Sequence, residues 1–194
     1  FFFKENLKVK KEIFKDKFSK LIFFTSGTTG QPKGIQHNIF NLVKSAKKFS
    51  KLSNYKKNDI TLHNWPHYYM AGFFNMFLCP IVSGSTIFFD EEIGVNKYLK
   101  YWTEVKKNKI SKTYLSPTMA QALISYSNYN KLDIEKKIDV KIFSTGSYLY
   151  ENIAKNFKKI FRIPLINCYG VTELGGSIAL ADKKESSLIG KLSN

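Results

Sequence analysis

The sequence predicts an α/β fold in which a mostly parallel β-sheet is covered by helices. Short apolar segments alternate along the chain with longer segments whose apolar residues repeat at the helical period, which is the pattern of such folds. Several apolar segments end in Gly, Ser or Thr, residue types expected where a parallel sheet binds its ligands. With 43% apolar residues in 194, the chain can build one compact core.

Six short apolar segments are predicted strands, and four amphipathic segments are predicted helices. The strands cover residues 21–24, 60–63, 86–89, 113–115, 141–144 and 165–168. The helices carry apolar stripes within residues 39–49, 95–105, 119–124 and 153–161, and the second stripe consists of Val95, Tyr98, Leu99, Trp102 and Val105. Each stripe is expected to face the sheet.

The chain has an excess of basic residues without a basic patch in its sequence. Its formal charge is +16, yet Arg162 is the one arginine among 31 basic residues, and the lysines are scattered through every segment. Nucleic-acid recognition favours clustered arginine. A lysine-rich surface and no nucleic-acid partner are expected, while a basic nucleic-acid-binding module stays open as an alternative with salt-dependent binding.

The cysteines and histidines show no metal or redox spacing. Cys79 and Cys168 lie far apart beside apolar residues, which predicts core thiols in a reducing compartment, the cytoplasm. His37, His63 and His67 have no acidic or cysteine partner at ligand spacing. None of them is expected to bind a metal.

One uncharged stretch is long enough to cross a bilayer. No Asp, Glu, Lys or Arg occurs between Asp59 and Asp90, but Pro66, Gly72 and Pro80 interrupt the stretch. Two buried strands with a short helix between them are therefore expected here, and no membrane span.

A glycine- and hydroxyl-rich segment, TSGTTGQPKG, follows the first predicted strand at residues 25–34. Glycines let the backbone approach an anion, hydroxyls and N–H groups donate to phosphate oxygens, and a lysine balances the charge. It is not a Walker A loop, because Lys33 follows Pro32 and precedes Gly34. The segment predicts a phosphate-binding loop of Thr25, Ser26, Gly27, Thr28, Thr29, Gly30 and Lys33.

A second polar segment, NCYGVTE, follows the last predicted strand at residues 167–173. Tyr169 offers an aromatic face for a base, Thr172 a hydroxyl for a phosphoryl oxygen, and Glu173 a hard carboxylate for Mg²⁺. Taken alone, such a segment would more often be an ordinary turn at a strand end. Its interpretation depends on the loop at 25–34.

Together the two segments resemble the signature motifs of the AMP-forming adenylate-forming ligases, the superfamily of acyl-CoA synthetases, peptide-synthetase adenylation domains and luciferases. Residues 25–34 match the family's loop at every position, and residues 169–173 match its Tyr-Gly-x-Thr-Glu segment. The separation of the two segments is also similar to that in the family. The resemblance implies the fold of the central part of the large N-terminal domain of such an enzyme.

The resemblance also implies roles for individual residues. The loop would close over the β- and γ-phosphates of ATP, Tyr169 would pack against adenine, Thr172 would contact the α-phosphate, and Glu173 would help to hold Mg²⁺. Catalytic roles are expected for Lys33, Thr172 and Glu173. The ATP-binding set is completed by Asn167 and Gly170 from the same segment.

Residues 144–149, STGSYL, occupy the place of the family's Ser-Gly-Gly-Ala-Pro-Leu turn, although Thr145 and Tyr148 depart from it. The resemblance implies that Gly146 and Ser147 lie beside adenine. A plain strand-to-helix turn is the alternative.

Residues 66–74 are similar to the family's Pro-x-Phe-His-x-x-Gly stretch, but the family's histidine falls on Tyr69. No catalytic role is therefore expected for His67. An acyl pocket is expected to include Tyr69, Gly72 and Phe73, with core aromatic residues on a helix as the alternative.

The resemblance covers nearly the whole chain but only part of the family's length. Residues 187–191, SLIGK, are similar to the family's Gly-Ser-Val-Gly-Lys turn. The ribose-binding aspartate, the hinge and the mobile C-terminal domain have no counterpart here. Residues 1–194 are therefore expected to be a partial AMP-binding (adenylation) domain without its C-terminal lid, with little or no turnover alone.

The resemblance implies that the complete protein activates a carboxylic acid with MgATP to an acyl-adenylate and pyrophosphate. A thiol, expected to be coenzyme A, would then displace AMP. A carrier-protein phosphopantetheine is an alternative acceptor. A non-catalytic nucleotide-binding relative is the alternative function.

Overall fold

The large sheet of the protein is built mostly from parallel strands. The computed structural model describes residues 19–25, 31–91, 95–130, 138–181 and 191–192. Within those residues the sheet contains β3 (Ile60–His63), β4 (Thr86–Phe89), β5 (Lys112–Leu115), β6 (Lys141–Ser144), β7 (Leu165–Val171), β8 (Gly176–Leu180) and β9 (Lys191–Leu192). Their spatial order is β4-β3-β5-β6-β7-β8-β9. The first five are parallel, and β8 and β9 continue the sheet antiparallel.

Helices cover the large sheet on both faces. They are α1 (Ile39–Leu52), α2 (Cys79–Ser83), α3 (Val95–Lys107), α4 (Pro117–Asn130) and α5 (Glu151–Phe161), with a π-helical segment at Gly72–Leu78 and a 3₁₀ turn at Thr172–Leu174. One core joins α3, α4 and α5 to Leu115 and Ile142. A second core joins α1 and the π-helical segment to the neighbouring Tyr114 and Phe143. Alternate strand residues thus point into opposite cores, and the predicted α/β fold is confirmed.

The first predicted strand lies outside the large sheet. β1 (Lys20–Thr25) pairs antiparallel with β2 (Lys33–Asn38) in a separate hairpin. The sequence KGIQHN of β2 has weak strand propensity, so its extended form depends on pairing with β1. This is why β2 was not predicted.

The buried face of α3 differs from the predicted stripe. On α3, Leu99 belongs to the predicted stripe but is 49% exposed, whereas Tyr101 is buried and donates its hydroxyl hydrogen to Thr113 Oγ1 at 3.2 Å.

The uncharged stretch between Asp59 and Asp90 forms β3, the π-helical segment, α2 and β4, as expected for two strands around a helix. None of the described helices is both long and apolar enough for a membrane crossing.

A buried lysine of β5 binds the carbonyl oxygens at the end of α1 and a nearby carboxylate. The Lys112 side chain is 1% exposed, and its Nζ donates to the carbonyl oxygens of Asn54 at 3.0 Å and Ser53 at 3.3 Å. Asp59 Oδ2 lies 3.4 Å away. Burial lowers the pKa of Lys112 to about 8, although the Asp59 carboxylate opposes that shift.

Candidate nucleotide site

A cleft of about 260 Å³ lies at the carboxyl ends of the parallel strands, where an α/β sheet places its ligands. Segments far apart in the sequence meet there. Six of the predicted site residues line it: Thr25, Tyr69, Gly146, Gly170, Thr172 and Glu173. Both short motifs and the loosely matching turn at 144–149 therefore contribute to one cavity.

The hairpin brings Thr25, at the start of the predicted phosphate loop, to the cleft, whereas Lys33 at the other end is not part of the described lining. Thr25 lines the cleft and is the direct cross-strand partner of Lys33. Directly paired residues of an antiparallel ladder point to the same face, so the exposed Lys33 shares the face of Thr25. The loop residues between these two strands, Ser26, Gly27, Thr28, Thr29 and Gly30, lie outside the described residues.

The turn after β6 forms one wall of the cleft above an indole ring. Gly146 has φ +91°, and a Cβ atom there would lie 3.3 Å from Cη2 of Trp65, so a larger residue would be strained. Trp65 is fixed by a hydrogen bond from its Nε1 to the Tyr114 carbonyl oxygen at 3.1 Å. Ser147 is exposed on the same turn, beside the cleft but outside its lining.

The end of β7, the neighbouring strand, forms another part of the cleft and requires glycine for close packing. A Cβ atom on Gly170 would lie 2.4 Å from the carbonyl oxygen of Gly176, and the β7–β8 register shifts between Tyr169 and Gly170. Tyr169 is 44% exposed and available to a ligand, whereas Asn167 is buried. Neither side chain belongs to the described lining of the cleft.

Glu173 is an exposed carboxylate on the 3₁₀ turn and forms no ion pair with any described residue. The described part of the chain also has no group of three His, Cys, Asp or Glu residues that could hold a metal ion. Mg²⁺ is commonly bound by one or two carboxylates together with substrate phosphates and water. A carboxylate that has no ion-pair partner among the described residues and that lines this cleft fits that mode of binding.

Of the three residues predicted for an acyl pocket, Tyr69 belongs to the described lining of the cleft, and Gly72 and Phe73 follow it within one helical turn. Tyr69 lines the cleft, and its hydroxyl lies 3.9 Å from where a Gly146 Cβ would be. Gly72 is packed against Pro66, because a Cβ atom on Gly72 would lie 2.4 Å from the Pro66 carbonyl oxygen. Phe73 packs on Phe23, with ring centroids 5.3 Å apart, outside the described lining.

The histidines near this segment pack among aromatic rings. The ring centroids of His63 and His67 are 4.3 Å apart, and both rings contact Phe89. Burial, with a smaller effect of His67, lowers the pKa of His63 to about 4. His67 is absent from the described lining of the cleft.

Several residues of the site were not predicted from the sequence. Thr145 and Ser177 line the cleft, and Trp65 lies beneath Gly146. Thr145 lies inside the turn at 144–149 that the sequence predicts to lie beside the nucleotide, so its position was a usable signal. Ser177 reaches the cleft only through the β7–β8 pairing, which no sequence motif marks.

Comparison with known proteins gives a consistent family and fold. A sequence model of the family described as "AMP-binding enzyme" matches residues 8–193. The chain is 28% identical over 189 residues to a malonate–CoA ligase of Arabidopsis thaliana, covering 88% of this chain and 31% of that protein. It is 23% identical over 162 residues to a plipastatin synthase of Bacillus subtilis, covering 83% of this chain and 4% of that protein.

The fold is similar to that of solved structures in the same group. The crystal structure of ATP-bound MatB from Rhodopseudomonas palustris superposes with a TM-score of 0.70 at 18% identity, covering 88% of this chain and 32% of that chain. The chain thus spans less than a third of the length of each of these three proteins.

Proposed function

This chain belongs to the family of AMP-binding enzymes, and from that premise we propose that the whole protein activates a carboxylic acid with ATP. A carboxylate oxygen attacks the α-phosphorus, the bond from that phosphorus to the bridging oxygen breaks, and pyrophosphate leaves with the bond's electron pair. The product is an acyl-adenylate.

The observation that carries this proposal is the meeting of three sequence segments at one cleft. Thr25 of the first motif, Gly146 of the turn after β6, and Thr172 with Glu173 of the last motif all line it. A phosphate loop alone would support any nucleotide-binding protein. The added hydroxyl of Thr172 and carboxylate of Glu173, just after β7, support chemistry at the α-phosphate.

In this proposal the nucleotide lies between the hairpin and the end of β7. Tyr169 packs against adenine, beside the turn that contains Gly146 and Ser147. Asn167 and Gly170 support the same wall. The β- and γ-phosphates contact the loop of Thr25, Ser26, Gly27, Thr28, Thr29 and Gly30, with Lys33 balancing their charge and Thr172 at the α-phosphate.

Glu173 is the proposed protein ligand of Mg²⁺. The ion would neutralise charge on the departing pyrophosphate. The chain's own contribution is to present this carboxylate at the cleft, with no ion-pair partner among the described residues, and to aim backbone and lysine donors at the phosphates.

Tyr69 is proposed to border the acid at the mouth of the cleft, with Gly72 and Phe73 shaping the wall behind it. Its neighbours Trp65 and Phe73 are apolar, which supports an acid with an apolar chain or ring. The phenol occupies the position where the family's motif has histidine, so it is also placed to orient the carboxylate.

The second step is proposed to be thioester formation. A thiolate attacks the acyl carbonyl carbon, the bond to the phosphate oxygen breaks, and AMP leaves. Coenzyme A is the proposed acceptor, supported by the CoA ligase among the relatives. A carrier-protein phosphopantetheine is the second candidate acceptor.

Residues 1–194 are proposed to be the central part of an adenylation domain, inactive without a C-terminal lid domain. The coverage of less than a third of each relative supports this division. The buried thiols Cys79 and Cys168 support a reducing compartment such as the cytoplasm. The scattered lysines support the absence of a nucleic-acid partner, for which salt-dependent gel shifts are the test.

The test is product analysis with the protein that the complete gene encodes. Incubation with ATP, Mg²⁺, pooled carboxylic acids and hydroxylamine should yield AMP, pyrophosphate and an acyl hydroxamate, because hydroxylamine traps the acyl-adenylate. ADP and phosphate instead would contradict the proposed reaction. ATP binding without any product would favour a non-catalytic nucleotide-binding relative. The departures from the family's motifs at Tyr69 and Tyr148 support that second candidate.

A further inference from the structure

A histidine of the hairpin contacts the backbone of the last motif. Nε2 of His37, near the end of β2, lies 2.6 Å from the carbonyl oxygen of Thr172. A carbonyl oxygen only accepts hydrogen bonds, so Nε2 must carry the hydrogen. The contact joins two segments 135 residues apart in the sequence.

The Thr172 carbonyl oxygen has a second donor. The backbone N–H of Gly175 donates to it at 3.0 Å, which closes the 3₁₀ turn. Both acceptor positions of this oxygen are therefore used. One hydrogen bond shapes the turn that carries Glu173, and the other attaches that turn to the hairpin.

The turn is packed directly on the imidazole ring. Gly175 has φ +77°, and a Cβ atom there would lie 3.4 Å from Nδ1 of His37 and 2.9 Å from Cδ2 of Leu42. No side chain larger than hydrogen fits without displacing these groups. The close approach brings the turn against both the hairpin and α1.

The imidazole itself is held in place by rigid neighbours. The Phe23 ring packs beside it, with ring centroids 6.4 Å apart, and Leu21 is its direct cross-strand partner. The next residue, Asn38, caps α1, because its Oδ1 accepts from the N–H of Phe40 at 2.9 Å. His37 thus lies at a fixed junction of hairpin and helix.

We propose that His37 is a positioning residue whose Nε2–H···O=C bond aligns the Thr172–Glu173 turn with the hairpin that carries the phosphate loop. The inference rests on the proposed function, since it assigns the two aligned segments to one triphosphate. His37 does not line the cleft and touches no reacting atom. Its effect passes through the position of Thr172 and Glu173.

The decisive comparison is between two substitutions of this residue. His37→Gln keeps an N–H donor of similar reach, and His37→Leu keeps bulk without a donor. In pyrophosphate–ATP exchange, His37→Leu should raise the KM for MgATP about tenfold, the effect of one lost hydrogen bond, while kcat falls less. His37→Gln should restore most of the loss, and His67→Leu, on a histidine outside the cleft lining, should leave the KM for MgATP unchanged.

A second measurement needs no substitution. In ¹⁵N-histidine-labelled wild-type protein, NMR distinguishes which ring nitrogen carries the hydrogen in the neutral ring. His37 should be in the Nε2–H tautomer, and the Gly175 amide should exchange slowly with solvent. The Nδ1–H tautomer would overturn the inference even if His37→Leu fails to fold.

The outcomes separate this inference from the function on which it rests. No exchange activity in the wild-type protein with any acid would contradict the proposed function, and the tautomer would still decide the contact. Activity in the wild type with an unchanged KM in His37→Leu would overturn the role of His37 alone. Equal impairment of the Leu and Gln variants would also overturn it, because the donor would then not matter.

Discussion

Thr25 and Lys33 are direct partners across the antiparallel strands β1 and β2. The residues that match the family's signature loop therefore begin on one strand of a hairpin and end on the other. Because the paired side chains share one face, the lysine is held on the side of the hairpin where Thr25 meets the cleft. The loop is expected to bind phosphate mainly through its backbone, with the lysine adding charge.

Lys33→Ala should raise the KM for MgATP about three- to tenfold, because one flexible, solvent-exposed charge is lost and the backbone donors remain. The measurement is the initial rate of pyrophosphate exchange against MgATP concentration. Lys20→Ala is the matched control, since Lys20 is exposed on the opposite face of the same hairpin. Equal effects of the two changes would show that general charge, and not this position, matters.

Glu173→Gln should weaken Mg²⁺ binding and thereby raise the Mg²⁺ concentration required for half-maximal activity about 10- to 100-fold. The fold should be unaffected, because the carboxylate is exposed and forms no ion pair with a described residue. The measurement is exchange rate against Mg²⁺ concentration at fixed ATP. Glu151→Gln, at an exposed glutamate on α5, serves as control. An unchanged Mg²⁺ requirement would remove Glu173 from the metal site.

Gly176→Ala should destabilise the protein by about 2 kcal/mol or more. Gly176 has φ +117°, and a Cβ atom there would lie 2.4 Å from Cγ of the fully buried Phe74. Gly34→Ala is the matched control, because its Cβ would meet the exposed side chains of Ile22 at 3.2 Å and Phe24 at 3.4 Å, and it should change stability by less than about 1 kcal/mol. Urea unfolding measures both. Similar losses would contradict the packing described at the β7–β8 junction.

Asp59→Asn should destabilise the protein by about 2–3 kcal/mol at neutral pH, because it leaves the buried Lys112 ammonium without its carboxylate. Partial burial raises the pKa of Asp59, but hydrogen bonds from the Lys56 N–H and the Ser111 hydroxyl, together with Lys112, outweigh it and hold the pKa below 3.8. The stability that the carboxylate adds is therefore complete above pH 3.8 and is lost as the pH falls through the lowered folded-state pKa.

The measurement for Asp59 is the free energy of unfolding of both proteins from about pH 6 down to about pH 2. The difference between wild type and Asp59→Asn should shrink as the pH falls below 3.8. Asp139→Asn, at an exposed aspartate, is the control and should show a much smaller difference at neutral pH. If the difference stays constant down to the lowest pH measured, the charge of the Asp59 carboxylate does not stabilise the folded state.

The parts of the fold that local sequence specifies were predictable. Six strand segments matched their predicted positions because each is a short apolar run between polar turns. The stripe on α1 placed Leu42, Ala46 and Phe49 correctly in a core. On α3, helical periodicity alone predicted that Leu99 would be buried and did not include Tyr101. The structure has the reverse, because the buried Tyr101 hydroxyl donates a hydrogen bond to Thr113.

The parts of the site that depend on tertiary contacts were not predictable. Each motif indicated its own chemistry, but no motif specifies which strands are neighbours, so Ser177 and Trp65 carried no usable signal. The contact between His37 and the Thr172 carbonyl depends on the packing of a hairpin against a turn. Gly72 and Phe73 were placed by motif alignment, whereas close packing against Pro66 and Phe23 fixes their positions.

Activation of a carboxylic acid by adenylation is the proposed function of the cleft. The most direct test is acid-dependent exchange of labelled pyrophosphate into ATP, using the protein that the complete gene encodes and a panel of short, medium, long and aromatic acids. Exchange should require one class of acid and Mg²⁺ and should fall in Glu173→Gln. A correctly folded protein that binds ATP but shows no exchange with any acid would contradict the proposed adenylation.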